Sequence, residues 1–163
     1  IHSVLILCEI FQKVLTRVKL QRGNCPPFWY NFNGRCYKYF SSPMTWADAE
    51  FHCVSQRAHL VSIHSLKEQN FVNSLIRNFD PKERPTWIGL TDIYKEGRWI
   101  WSDGSRVDFF FWNRGEPNGS GNENCGQTNW ESSRRWNDYR CSNLLPFVCA
   151  LRAAGKKQQP GEC

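Results

Sequence analysis

The sequence predicts an α+β fold with an irregular antiparallel sheet. Two helix-type segments, each opened by a capping signature, lie in the first half of the chain. From Thr86 onward only short apolar runs follow, separated by long turns rich in Gly and Asn, which is a strand pattern. Eight cysteines, at 8, 25, 36, 53, 125, 141, 149 and 163, add the expectation of disulfide bonds and an oxidising compartment. At 163 residues the chain suits one domain with short extensions.

The elements follow in order. Residues 1–23 are read as an extension, 24–152 as the domain and 153–163 as a tail without apolar periodicity. Within the extension, Val4, Leu7, Phe11 and Val18 recur at helical steps, the mark of an amphipathic helix. Two readings stay open for it, a neck that pairs with other copies and a leader remnant. Between Cys25 and Cys36, Asn33-Gly34 is a hairpin-turn signal, and Cys36–Phe40 reads as the strand after it.

Thr45 with Asp48, and Ser65 with Glu68, resemble capping boxes that open two helices. The second carries an apolar stripe at Val72, Leu75, Ile76 and Phe79, and Pro81 and Pro85 end it. Trp87–Leu90, Trp99–Trp101, Phe109–Trp112 and Pro146–Leu151 read as short strands, with Trp87, Trp99, Trp101 and Trp136 as core.

Several function classes drop out. No apolar run approaches the roughly 20 residues of a membrane-spanning helix. The formal charge of +6 is spread without a long basic block, and no basic face is interleaved with aromatics, so nucleic acid is not an expected partner. No CxxC or Cys/His cluster has zinc spacing. His2, His52, His59 and His64 show no nucleophile or metal spacing, so the chain is not expected to be an enzyme.

One region gathers oxygen donors. Glu116, Asn118, Glu123, Asn137 and Asp138 fall in or just after a Gly-rich stretch. Three carboxylates and two amides suit Ca²⁺, which takes six to eight oxygens. On composition alone the same stretch also reads as a polar surface loop. Arg134 and Arg135 nearby read either as a solvated turn or as a contact to acidic surfaces.

Trp87-Ile88-Gly89-Leu90, Glu116-Pro117-Asn118, Glu123-Asn124-Cys125, Trp136-Asn137-Asp138 and the six cysteines from 25 to 149 occur together and in order. This set resembles a C-type lectin domain from about Asn24 to Arg152, most like the compact secreted lectins of fish, the group that includes the type II antifreeze proteins. The resemblance implies bridges Cys25–Cys36, Cys53–Cys149 and Cys125–Cys141. Cys8 and Cys163 are left over, to bond each other or another copy in a homo-oligomer.

The resemblance further implies that Glu116, Asn118, Glu123, Asn137 and Asp138 bind both the metal and the carbohydrate, with Pro117 in the cis form. The order Glu-Pro-Asn resembles the mannose-type arrangement, which favours mannose, N-acetylglucosamine and fucose; the galactose-type loop carries Gln-Pro-Asp. Such a protein would be a secreted lectin of innate immunity, weak for one monosaccharide and dependent on several copies. The alternatives are calcium-dependent ice binding and a calcium-free protein-interaction module.

Two departures from the pattern stand out. Asp92, Glu96 and Glu123 match an auxiliary calcium site, but Gly119 and Asn124 stand where two further acids would be expected. Asn118-Gly119-Ser120 is also a formal N-glycosylation acceptor.

Overall fold

The computed structural model describes residues 20–153. The amphipathic segment before Leu20, Cys8, Cys163 and the tail after Ala153 lie outside the described residues. Ten elements follow: β1 (Tyr30–Phe32), β2 (Arg35–Met44), α1 (Trp46–Ser55), β3 (His59–Leu60), α2 (Leu66–Phe79), β4 (Thr86–Thr91), β5 (Ile100–Trp101), β6 (Cys125–Trp130), β7 (Arg135–Tyr139) and β8 (Leu145–Arg152).

Local chemistry explains the early elements. Asn33 and Gly34 both take positive φ, 48° and 77°, as a two-residue hairpin turn between β1 and β2 requires. Thr45 caps α1 by accepting the N–H of Asp48 at 3.2 Å, and Ser65 caps α2 by accepting that of Glu68 at 3.1 Å. The second cap differs from a reciprocal box. Glu68 turns its Oε1 to the N–H of His64 at 2.6 Å, one residue before the cap. α2 ends at Phe79, capped by Asp80, just before Pro81.

The sheet runs β1-β2-β8-β4-β6-β7, with β3 on β8 and β5 on β4. β2 and β8 pair antiparallel, which brings both ends of the domain together, and β4 meets β8 parallel through Trp87 and Phe147. Every residue of β4 is buried. Two apolar clusters fill the interior. One packs Val72, Leu75 and Ile76 of α2 under Trp101 and Trp136, and the other packs Trp46 and Ala49 of α1 against Trp87 and Phe147. The indole N–H groups of Trp46 and Trp87 donate to the carbonyls of Ile88 and Met44, both at 2.9 Å.

The three bridges are Cys25–Cys36, Cys53–Cys149 and Cys125–Cys141, the pairing the resemblance implied. The second ties α1 to β8 across 96 residues. In the chain-entropy account, loops of these lengths add roughly 3–5 kcal/mol each.

Three expectations need correction. Phe109–Trp112 is not a strand; only Trp112 bridges to Trp136, because Phe109, Phe111 and Trp112 instead wrap their rings around Trp136 while Phe110 stays 63% exposed. Trp99 is half-buried rather than core, lying edge-on to Trp112 with ring centroids 4.9 Å apart. Phe79, placed on the apolar stripe, is 47% exposed at the end of α2, where it covers Tyr39 and Tyr30. The hairpin of β6 and β7 carried no clear alternation in the sequence, since its buried residues are largely polar.

Candidate functional site

The site is built where the 113–124 loop folds back on β7. Its first half ends in Glu116, joined to Pro117 by a cis peptide bond. Asp138, fully buried at the centre of the β6–β7 hairpin, reaches out to the loop backbone. Its Oδ2 accepts the N–H of Gly119 at 2.8 Å, and its Oδ1 that of Asn118 at 3.2 Å. Glu116 accepts the same Asn118 N–H on Oε2 and the Asn118 side-chain amide on Oε1, both at 3.2 Å. The Asn118 Oδ1 in turn accepts the N–H of Ser120 at 3.0 Å.

Electrostatics mark the same place. Burial, reinforced by the neighbouring Asp138 carboxylate, pushes Glu116 up to about 7. Glu123 is pushed up by burial and then by Asp138, with Arg140 pulling the other way. Glu116 and Glu123 therefore both lie in the field of the Asp138 carboxylate, an arrangement that repels itself and attracts a cation.

The five predicted residues do not all meet in the same way. Glu116, Asn118 and Asp138 are joined by hydrogen bonds, and Glu123 lies within the field of Asp138. Asn137 is buried beside them on β7, and no hydrogen bond among the described residues links its amide to the other four. No three carboxylate, histidine or cysteine groups among the described residues converge tightly enough to hold a metal as they stand. The donor chemistry nevertheless fits a hard cation. Each Asp138 oxygen spends one lone pair on a backbone N–H and keeps another, and the amides supply neutral oxygens.

The neighbouring acids are arranged differently. With its amide nitrogen facing them, Asn124 donates to Glu96 Oε2 at 3.1 Å and Asp92 Oδ1 at 3.0 Å. Asp92 also accepts the N–H of Gly97 at 2.8 Å. The Asp92 charge is the main cause that pushes Glu96 up. An amide thus bridges the two acids at the position where the resemblance pattern has a carboxylate.

Arg134 and Arg135 are engaged within the protein. Arg134 donates to the Glu83 carbonyl at 3.0 Å, and the Arg135 guanidinium stacks 4.3 Å above the Phe111 ring. Arg140, beside Glu123, was missed by sequence reasoning, although a cation two residues after Asp138 was a usable signal.

A family model described as Lectin C-type domain matches residues 42–151 of this chain. The chain belongs to the C-type lectin family. It is 40% identical over 126 residues to ladderlectin of Oncorhynchus mykiss, covering 77% of this chain and 66% of that protein. It is 38% identical over 129 residues to the galactose-specific lectin nattectin of Thalassophryne nattereri, covering 78% and 80%. Among solved structures, herring type II antifreeze protein superposes with a TM-score of 0.76 at 37% identity, covering 80% of this chain and all of that one. Family membership points to carbohydrate binding, and lectins are non-enzymatic; this C-type lectin is not an enzyme. The three disulfides among the described residues fit an extracellular protein, and no helix among those residues is long and apolar enough to cross a membrane.

A second polar cluster, which sequence spacing did not reveal, lies away from this loop. Arg35 pairs with Glu68 at 2.8 Å, and the Tyr37 hydroxyl donates to the same Glu68 oxygen. His64 Nδ1 sits 2.7 Å from Asp108, and its Nε2 lies 3.0 Å and 3.1 Å from the hydroxyls of Ser62 and Ser105. This resembles a nucleophile arrangement in outline only. Both serine hydroxyls donate their protons to Asp103, which leaves His64 no hydroxyl proton to remove.

Proposed function

We propose that this C-type lectin is a secreted, calcium-dependent binder of mannose-type glycans, with Glu116, Asn118, Glu123, Asn137 and Asp138 as the metal- and sugar-binding residues. The observation that supports it is the acid–amide pair Glu116 and Asn118 facing the Asp138 carboxylate. The bound calcium would supply a positive centre on which two adjacent sugar hydroxyls complete the oxygen shell. Around it, each hydroxyl donates to a carboxylate and accepts from an amide, so an acid and an amide are needed on each side. Glu116 and Asn118 form one side; Glu123 and Asn137 form the other.

The order acid-Pro-amide in this loop favours vicinal equatorial 3- and 4-hydroxyls, as in mannose and N-acetylglucosamine, or the equivalent geometry that another hydroxyl pair of fucose offers. The proposed biological role, recognition of microbial glycans in innate immunity, rests on the family alone. Single-sugar affinity near the millimolar range corresponds to about 4 kcal/mol, so function rests on several copies acting together.

Retention on mannose–agarose in millimolar calcium tests this reading. Elution by EDTA and by mannose, but poorly by galactose, supports it. Preferential elution by galactose overturns the sugar assignment, a meaningful arm because nattectin is a galactose-specific lectin. Absence of calcium binding by calorimetry overturns the mechanism and favours the calcium-free interaction module.

The likeness to herring type II antifreeze protein gives ice binding a specific basis. Against it, Thr128, the threonine nearest the loop in sequence, is fully buried and bonded to Gln69. A flat ice face would need that hydroxyl at the surface. Thermal hysteresis in the calcium-loaded protein separates the two.

A further inference from the structure

Arg35 and Arg152 are direct partners across β2 and β8. Like charges placed opposite one another weaken a sheet unless something neutralises them. Arg57 joins them from the left-handed residue after α1, at φ 60°. The three arginines line one cleft of about 560 Å³, together with Ser62, His64 and Asp103.

The charges lining this cleft do not balance, although the carboxylates of Glu50 and Asp108 stand behind its His59 and His64 at 2.8 and 2.7 Å. Arg35 is met by Glu68 at 2.8 Å and more distantly by Asp103 at 3.7 Å. Asp103 is the one carboxylate lining the cleft among the described residues, and the hydroxyls of Ser62 and Ser105 already occupy its oxygens. No ion pair among the described residues engages Arg57 or Arg152, and both are exposed. Two guanidinium groups therefore stand uncompensated beside a like-charged neighbour, in a concave setting.

We propose that this cleft binds an anionic group, a sulfate ester or a carboxylate, carried on a polysaccharide chain. Guanidinium forks can meet two oxygens of such a group at once. The cleft, at about 560 Å³, has the size of a small-ligand site, too small to seat a duplex or a bilayer. No Trp, Tyr or Phe lines it among the described residues, so it lacks the stacking platforms on which single-stranded nucleic acid is held. Ala58 and Ala150 give part of its wall small side chains, a lining compatible with a sugar ring. None of its lining residues belongs to the Glu116–Asp138 loop, and the inference does not depend on calcium.

Calorimetry on the full chain in EDTA tests it, with a sulfated hexasaccharide, an oligouronate and a neutral mannan hexasaccharide as probes. Binding of either anionic probe but not the neutral one is expected, weakening as salt rises. The Arg57→Gln/Arg152→Gln variant should lose at least tenfold in affinity. A Lys82→Gln/Lys95→Gln variant, which removes the same charge from exposed positions elsewhere, should lose less than twofold. Arg152→Gln alone should show a smaller loss and serves if the double variant melts early. Equal losses in the two double variants, binding that ignores the anionic groups, or an oligonucleotide bound as tightly as the sulfated sugar would each overturn the proposal.

Discussion

Asp138 holds the backbone of Gly119 at 2.8 Å, joining a fully buried strand residue to an exposed loop 19 positions earlier. That contact fixes the height of the loop over β7 and sets Glu116 and Asn118 beside a second carboxylate. The loop thus takes its position from the sheet.

Replacing Asp138 with Asn is therefore expected to do two things. It removes one charge from the proposed metal site and places an N–H₂ where an acceptor served Asn118 or Gly119. Calcium affinity should fall at least tenfold, about 1.4 kcal/mol, measured by calorimetry. Far-ultraviolet circular dichroism should stay unchanged, since the three disulfides keep the fold.

Calcium itself should stabilise the domain by relieving the repulsion among Glu116, Glu123 and Asp138. At a hundredfold excess over its Kd, a ligand that binds only the folded state adds about 2.7 kcal/mol. For a domain of this size that raises Tm on the order of 10 °C. Scanning calorimetry with calcium, then with EDTA, should show the rise and its reversal; equal midpoints would argue against the site.

Gly89 tests the packing that carries the site's sheet. A methyl group there would sit 2.6 Å from the Leu60 carbonyl and 2.8 Å from the Ser102 hydroxyl. Gly89 also bonds Val61 through its N–H and Ser102 through its carbonyl, at 2.9 and 2.7 Å, so the backbone is held on both sides. Gly89→Ala should cost roughly 1–3 kcal/mol, read as a lower urea midpoint at constant slope.

Acid should weaken the fold through two aspartates. Burial pushes Asp103 up, but the hydroxyls of Ser105 and Ser62 and the Arg35 charge outweigh it and hold it below its ordinary 3.8. Asp80 is lowered likewise, burial being outweighed by the Arg84 and Lys82 N–H groups and the Arg84 guanidinium. A carboxylate lowered in the folded state stabilises above its unfolded pKa, and that stability is lost as pH falls through the folded value. Denaturant midpoints should therefore drop below about pH 4, and Asp103→Asn should flatten part of that drop.

Much of this protein could be read from local patterns. Thr45 and Ser65 announced both helices because a cap is satisfied within three residues of itself. Asn33-Gly34 announced the hairpin for the same reason. The ordered motifs around Glu116 and Asp138 carried the family and the bridges. Phe109–Trp112 misled because an apolar run looks alike whether its rings line a strand or wrap a neighbour such as Trp136.

The sequence by itself determined the α+β class, the helix starts, the disulfide count within the domain and the residue types of the proposed calcium site. Tertiary structure alone decided that Asp138 supports the loop, that Asn124 bridges Asp92 and Glu96, and that Thr128 is buried. It alone brought Arg35, Arg57 and Arg152 to one cleft. The physical reason is range: caps and turns close their hydrogen bonds locally, whereas these groups meet only after β2, β4 and β6 pair with partners far along the chain.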